Sequence, residues 1–181
     1  MHLVIISGSV FGTANLVAGE AQTLLGNAGV QVTRLQPLTL DALLALAPDA
    51  LLVCTSTTGM GELPDALVPL FHEMRDRFPL LTGKPFGVIA LGDSAYGDTF
   101  CMAGEQFREL LLELQASEAL AMLQLDASET VTPETNAEPW LQEFAALKST
   151  KGVRNPPRCA CSKQRRACSW RPCREWPRPL R

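Results

Sequence analysis

The sequence predicts a doubly wound α/β fold around a five-stranded parallel sheet, on three observations. Apolar runs that read as strands alternate with stretches of helical period. Two of these runs, residues 50–54 and 86–91, are almost continuously apolar, as strands covered on both faces must be. The first run, residues 3–6, breaks into a glycine- and hydroxyl-rich turn at residues 7–15 (SGSVFGTAN) that leads directly into a helical pattern.

Each element has its own warrant. The first helix carries the stripe Val17, Ala21, Leu24 and Leu25, with Gly26 or Gly29 to end it. Residues 30–35 mix polar and apolar side chains, the pattern of a less covered strand, and residues 38–46 form a short apolar helix that Pro48 closes. The central run 50–54 leads through a loop to Pro64-Asp65, which opens a third helix with Leu67, Leu70, Phe71 and Met74 on one face. After the run 86–91, Phe107, Leu110, Leu111 and Leu114 repeat that spacing, residues 119–125 give a fifth, more mixed strand, and Trp140, Leu141, Phe144 and Leu147 stripe the last helix.

With the mixed second and fifth strands at the edges, the order is 2-1-3-4-5. Ligands of such sheets bind beyond the carboxyl ends of the strands where the winding reverses, here between the first and third. The loops at residues 7–15, 55–63 and 92–101 are therefore expected to line one crevice.

Composition divides the chain. Residues 1–150 hold 6 Lys+Arg against 18 Asp+Glu, a net charge of −12, whereas residues 151–181 hold 10 basic residues and one Glu, a net of +9. The expected organisation is an acidic domain over 1–150 and a basic tail over 151–181. The tail has five prolines and few aliphatic residues, too few to bury a core, and reads as disordered. Its cysteines are spaced C-x-C-x6-C-x4-C, not as the paired C-x2-C of common zinc modules, so no metal is expected. With Trp170 and Trp176 among its charges, the tail is the one segment that offers a nucleic acid any contact. No run approaches the ~18 apolar residues of a membrane span, and no signal peptide is visible, so a cytoplasmic location with reduced Cys54 and Cys101 is expected.

The three loops carry the chemistry. In the first, Ser7, Ser9 and Thr13 supply hydroxyls and Gly8 and Gly12 permit close backbone approach; a helix N-terminus of this kind seats a phosphate. A simple turn capped by Ser9 or Thr13 is the alternative. The spacing is neither Gly-x-Gly-x-x-Gly nor a Walker loop, so a dinucleotide or nucleoside triphosphate is not expected. The second loop, TSTTGMGEL, is rich in hydroxyls and glycine, and the third, GDSAYGDTFC, holds the only tyrosine, a flat face for a planar ligand.

Together these segments resemble a short-chain flavodoxin, nearest to the MioC-like group, over about residues 2–148. The resemblance implies non-covalently bound FMN that passes one electron at a time, between an NAD(P)H-dependent flavodoxin reductase and an acceptor protein, with no membrane involved. It implies that Ser9, Val10, Phe11, Gly12, Thr13 and Ala14 wrap the phosphate, and that Thr57, Thr58, Gly59, Met60 and Gly61 border one flavin edge. Leu91, Gly92, Asp93, Tyr96, Phe100 and Cys101 border the other, with Tyr96 as the outer stacking ring. Cys101 packs and has no nucleophilic role, and His2 and His72 are structural or solvated. The resemblance also implies that the Thr58–Gly59 peptide turns over on flavin reduction, since glycine tolerates either sign of φ. One departure stands out: Thr58 occupies a position where many relatives place a stacking side chain. It leaves open a second function, a non-redox auxiliary or regulatory module. A phosphoacceptor domain with the same sheet order is excluded, because the first and third strands end in Ile6-Ser7 and Cys54-Thr55, without its acidic cluster. The expected protein is an electron-transfer flavoprotein, without a general acid or base of its own.

Overall fold

The structure is a computed structural model that describes residues 1–130 and 132–147. The tail expected over 151–181 lies outside the described residues. In chain order the elements are β1 (His2–Gly8), α1 (Thr13–Asn27), β2 (Gln31–Arg34), α2 (Leu40–Ala45), β3 (Ala50–Ser56), α3 (Val68–Arg77), β4 (Pro85–Gly92), α4 (Met102–Glu113), β5 (Ser117–Glu118), β6 (Leu123–Asp126) and α5 (Pro133–Ala146). All strand pairs are parallel and the order is β2-β1-β3-β4-β5, with β6 also on β4.

The hydrophobic effect explains the layering. Alternate side chains of the central strands enter opposite cores. Val4, Ile6, Leu51, Val53, Phe86 and Val88 meet α2, α3 and α4 on one face. Leu3, Ile5, Leu52, Cys54 and Ile89 meet α1 and α5 on the other. With both faces covered, these strands must be apolar throughout, which is why β1, β3 and β4 are legible as runs.

Three local features depart from the sequence reading. The expected fifth strand, residues 119–125, is split into β5 and β6. Ala119 N–H still donates to Phe86 C=O of β4 at 2.8 Å, and the pairing lapses beyond it, where the Trp140 indole N–H donates to the Ala121 carbonyl at 2.9 Å. The third helix starts at Val68, because a turn closed by Leu67 N–H to Pro64 C=O at 2.8 Å comes first. The N-cap of α1 is Gly12, in the left-handed region at φ +88°, while Ser9 Oγ accepts from the Ala14 N–H at 3.3 Å. Of the two glycines proposed to end α1, Gly26 lies inside the helix and Gly29 follows it at φ +78°. His2 is structural: its ring nitrogens meet Leu46 C=O at 3.1 Å and Thr33 Oγ1 at 2.8 Å.

Gly87 lets α5 approach the sheet. A Cβ there would stand 2.5 Å from Trp140 Cη2 and 2.9 Å from Phe144 Cε2, and these two rings are stacked on each other at 5.2 Å. Gly87→Val should overpack this contact and cost about 2–3 kcal/mol, read as a lower denaturant midpoint at unchanged slope.

Candidate functional site

Three loops and the end of β6 enclose a cleft of about 490 Å³ at the carboxyl edge of the sheet, within the usual size of a small-molecule site. Its walls are Ser9, Val10, Phe11 and Thr13 from the first loop, and Ser56, Thr57, Thr58 and Gly59 from the second. Leu91, Gly92, Asp93, Tyr96 and Thr99 come from the third, and Ala127 from the segment after β6.

The first loop is a set of unused donors. The N–H groups of Val10, Phe11, Gly12 and Thr13 have no protein partner among the described residues, and the first turn of α1 contains no acidic residue. The helix dipole adds positive potential at the same point. The second loop is pinned on two sides. Thr57 N–H donates to Leu91 C=O at 2.8 Å, and Thr57 Oγ1 accepts from Ala103 N–H at 3.4 Å. Thr58 and Glu62 close a tight hairpin: Thr58 N–H donates to Glu62 C=O at 3.0 Å, and Thr58 C=O accepts from both Gly61 and Glu62 N–H. Inside it Gly59 has φ +52°, and Glu62 Oε2 accepts from Met60 N–H at 3.0 Å. Gly61 C=O accepts from Gln106 Nε2 at 2.8 Å, tying the hairpin to α4.

The third loop is two short 3-10 turns meeting at Gly97, φ +56°. Asp126 anchors it, with Oδ1 accepting from Ser94 N–H at 3.1 Å, Ser128 N–H at 2.9 Å and Ser128 Oγ at 2.8 Å. Tyr96 is 67% exposed over the cleft mouth. Cys101 is fully buried, its Sγ donating to Ala90 C=O at 3.4 Å, and burial pushes its thiol up to about 12, so it is a neutral packing group at neutral pH.

Eleven residues named from sequence thus face the cleft: Ser9, Val10, Phe11, Thr13, Thr57, Thr58, Gly59, Leu91, Gly92, Asp93 and Tyr96. Gly12, Ala14, Met60, Gly61, Phe100 and Cys101 do not line it; they shape the loops that do. Sequence reasoning missed Ser56, Thr99 and Ala127. Ser56 lay in the quoted second loop, and the sheet order alone places the end of the fifth strand beside the third loop, which would have pointed to Ala127.

The cleft fits FMN. Ser56 Oγ is shielded from solvent, has no partner and lines the cleft, so a ligand that hydrogen-bonds there would relieve an unsatisfied group. The free N–H groups of residues 10–13 suit the phosphate, and Tyr96 and Thr58 both line the cleft that would receive a flat ring. Bound FMN supplies the redox chemistry; the protein binds, orients and shields it.

Hydrogen bonds to Ser94 and Ser128 lower the Asp126 carboxyl from 3.8 to about 2. A depressed acid stabilises the fold fully above its unfolded value and loses that contribution as pH falls through the folded one. The anchor of the third loop should therefore hold above about pH 4 and weaken towards pH 2. NMR should show the Ser94 and Ser128 amides titrating with the Asp126 carboxyl in that range, and Asp126→Asn should remove the titration.

A family profile described as Flavodoxin matches residues 5–140. The chain is 41% identical over 145 residues to flavodoxin YqcA of Escherichia coli, covering 80% of this chain and 97% of that one. It is 35% identical over 144 residues to a MioC homologue of Haemophilus influenzae, with 80% and 97% covered. Among solved structures, a cysteine-to-serine mutant of flavodoxin from Pseudomonas aeruginosa superposes with a TM-score of 0.78 at 61% identity, over 81% of this chain and 98% of that one. The chain belongs to the flavodoxin family, as a short-chain member of the MioC-like group, and is an electron carrier that works with FMN.

Proposed function

We propose that the protein is a one-electron carrier, reduced by an NAD(P)H-dependent flavodoxin reductase and oxidised by an acceptor protein in the cytoplasm. The observation that carries this is the make-up of the cleft. Of its fourteen lining residues only Asp93 and Tyr96 are titratable, and Asp93 Oδ1 is taken up in capping its own loop through Ala95 N–H at 2.9 Å, so the lining is poor in groups for acid–base turnover of a substrate. Around it stand exposed apolar side chains, Phe11 at 94% and Met60 at 78%, together with the carboxylates of Glu62, Asp98 and Asp126. Such a rim suits brief docking, with charge steering a basic partner and apolar contact completing it. The negative body also disfavours an anionic reduced flavin.

In this reading the loop 9–14 holds the phosphate, Tyr96 stacks on the outer ring face, and Thr57, Thr58 and Gly59 border the inner one. The Thr58–Gly59 peptide is the group implied to turn over on reduction. Turning it would release Thr58 C=O from two hydrogen bonds, a cost of about 1 kcal/mol each. Gly59→Val is a poor test of that movement, because a Cβ there would collide with the Glu62 carboxylate in the present conformation.

The second reading, a non-redox auxiliary module, is favoured by one observation. Thr58 Oγ1 is turned to Glu62 C=O at 3.1 Å, and its side chain gives the inner face no ring. An absorbance spectrum of the purified protein separates the two. The carrier should be yellow and accept electrons in two resolved one-electron stages during stepwise reduction; a colourless protein that ignores added FMN would support the module. With Tyr96 as the main stacking ring, Tyr96→Ala should weaken FMN binding by about 1–3 kcal/mol, taking base–aromatic stacking as the guide. Unchanged affinity by fluorescence titration would remove Tyr96 from that role.

Residues 1–150 are proposed to suffice for all of this, since the last helix already closes the core with Ala137, Leu141 and Phe144. Truncation after Thr150 should leave the melting temperature and FMN affinity nearly unchanged. A loss above about 1–2 kcal/mol, large against typical domain stability, would show that residues 151–181 contribute.

A further inference from the structure

One basic side chain sits where electrostatics should exclude it. Arg34 ends β2, opposite Ile5 of β1, and its Nη2 donates to Ser7 Oγ at 3.0 Å and to Asn15 Oδ1 at 3.5 Å. Ser7 is the residue before the glycine that opens the first loop, and Asn15 lies in the first turn of α1. The guanidinium is therefore lodged behind the loop, at the positive end of the helix dipole, where a cation is disfavoured. No carboxylate pairs with it among the described residues, and the first turn of α1 offers none. Its Nε is shielded from solvent and has no partner. Its field reaches Cys54 on β3, where it opposes the burial that pushes that thiol up to about 12.

A partly buried cation with an unused donor, set against a row of unused N–H groups, is an arrangement short of one negative charge. We propose that Arg34 is a positioning residue for the FMN phosphate: it braces the loop through Ser7 and Asn15 and supplies the fixed positive charge that selects FMN over riboflavin. The proposal rests on FMN being the ligand of the cleft. Arginine suits the task better than lysine, because its planar fork bonds to two elements at once and stays charged. Sequence alone gave no hint of it, since a single arginine at the end of an edge strand normally reads as a solvated surface residue.

The test compares two flavins that differ in the phosphate alone. Apoprotein prepared from the purified holoprotein is titrated with FMN and with riboflavin, following quenching of flavin fluorescence, at low and high salt. Arg34→Gln should weaken FMN binding about tenfold at low salt, as the loss of a charge-assisted contact at a helix N-terminus implies. Riboflavin binding should move by less than about twofold, and the salt dependence of FMN binding should shrink. Arg34→Lys, which keeps the charge, should retain most of the preference for FMN. Equal weakening of both flavins in Arg34→Gln would make the residue a structural brace and overturn the proposal, as would an unchanged FMN-to-riboflavin ratio. If Arg34→Gln does not fold, Ser7→Ala is read in the same way: a loss on FMN alone supports the proposal and an equal loss overturns it. Wild-type apoprotein that takes up neither flavin would overturn the cofactor assignment, and the proposal with it, a result distinct from any change in the ratio.

Discussion

The parallel pairing of β1 with β3 is the contact on which the rest of the molecule depends. From Leu3 against Ala50 to Gly8 against Thr55, the two strands run in register to the same level of the sheet. The chain winds outwards from this pair in both directions, so β2 lies on one side and β4 on the other. Both strands end together, and the loops that follow them have to part around a common gap. That gap is the cleft, and it exists because parallel strands need crossover helices that leave their carboxyl ends open. Gly8 adds a steric condition, since a Cβ there would run into the Leu67 side chain. The lead-in to α3 thus packs against the end of β1, where the first loop begins.

How much of this can be read from residues depends on the range of the interaction involved. β3 and β4 are legible because burial on both faces removes polar side chains from a whole segment. The helices are legible because Val17, Ala21 and Leu25, or Phe107, Leu110 and Leu111, repeat at the helical period. The break between β5 and β6 was hidden because no residue in the run 119–125 marks it, and the Trp140 bond to Ala121 that accompanies it comes from a residue distant in sequence. The late start of α3 was hidden by Pro64-Asp65, which reads as a helix opening yet forms a separate turn. At the cleft and in its loops, residues with distinctive chemistry or conformational freedom announced themselves: the hydroxyls of Ser9 and Thr13, the ring of Tyr96 and Gly59 in the lining, and Gly12 behind it. Ala127 has no such mark. It is brought to the wall by its N–H on Gly92 C=O at 2.8 Å, a main-chain contact that any residue could make.

An acidic protein that binds an anion faces a problem of charge, and the structure indicates how it is met. Residues 1–150 carry 18 acidic groups against 6 basic ones, yet the loop 9–14 contains no charged side chain. Its donors are main-chain N–H groups already oriented by the fold, so attraction to a phosphate costs little side-chain entropy, whereas a surface lysine would lose rotamer freedom to make the same contact. Neutral dipoles also act over short distances. In the proposed reading they hold the phosphate, with Arg34 behind them, without cancelling the charge of the carboxylates around the rest of the rim. The acidic rim rests on hydrogen bonding as well as on composition. With its carboxyl held at about 2, Asp126 stays ionised across the physiological range, and the same bonds fix the loop that carries Tyr96. The network that positions the loop of Tyr96 therefore also contributes a carboxylate to its surroundings, so the shape of the rim and its charge are linked through Asp126.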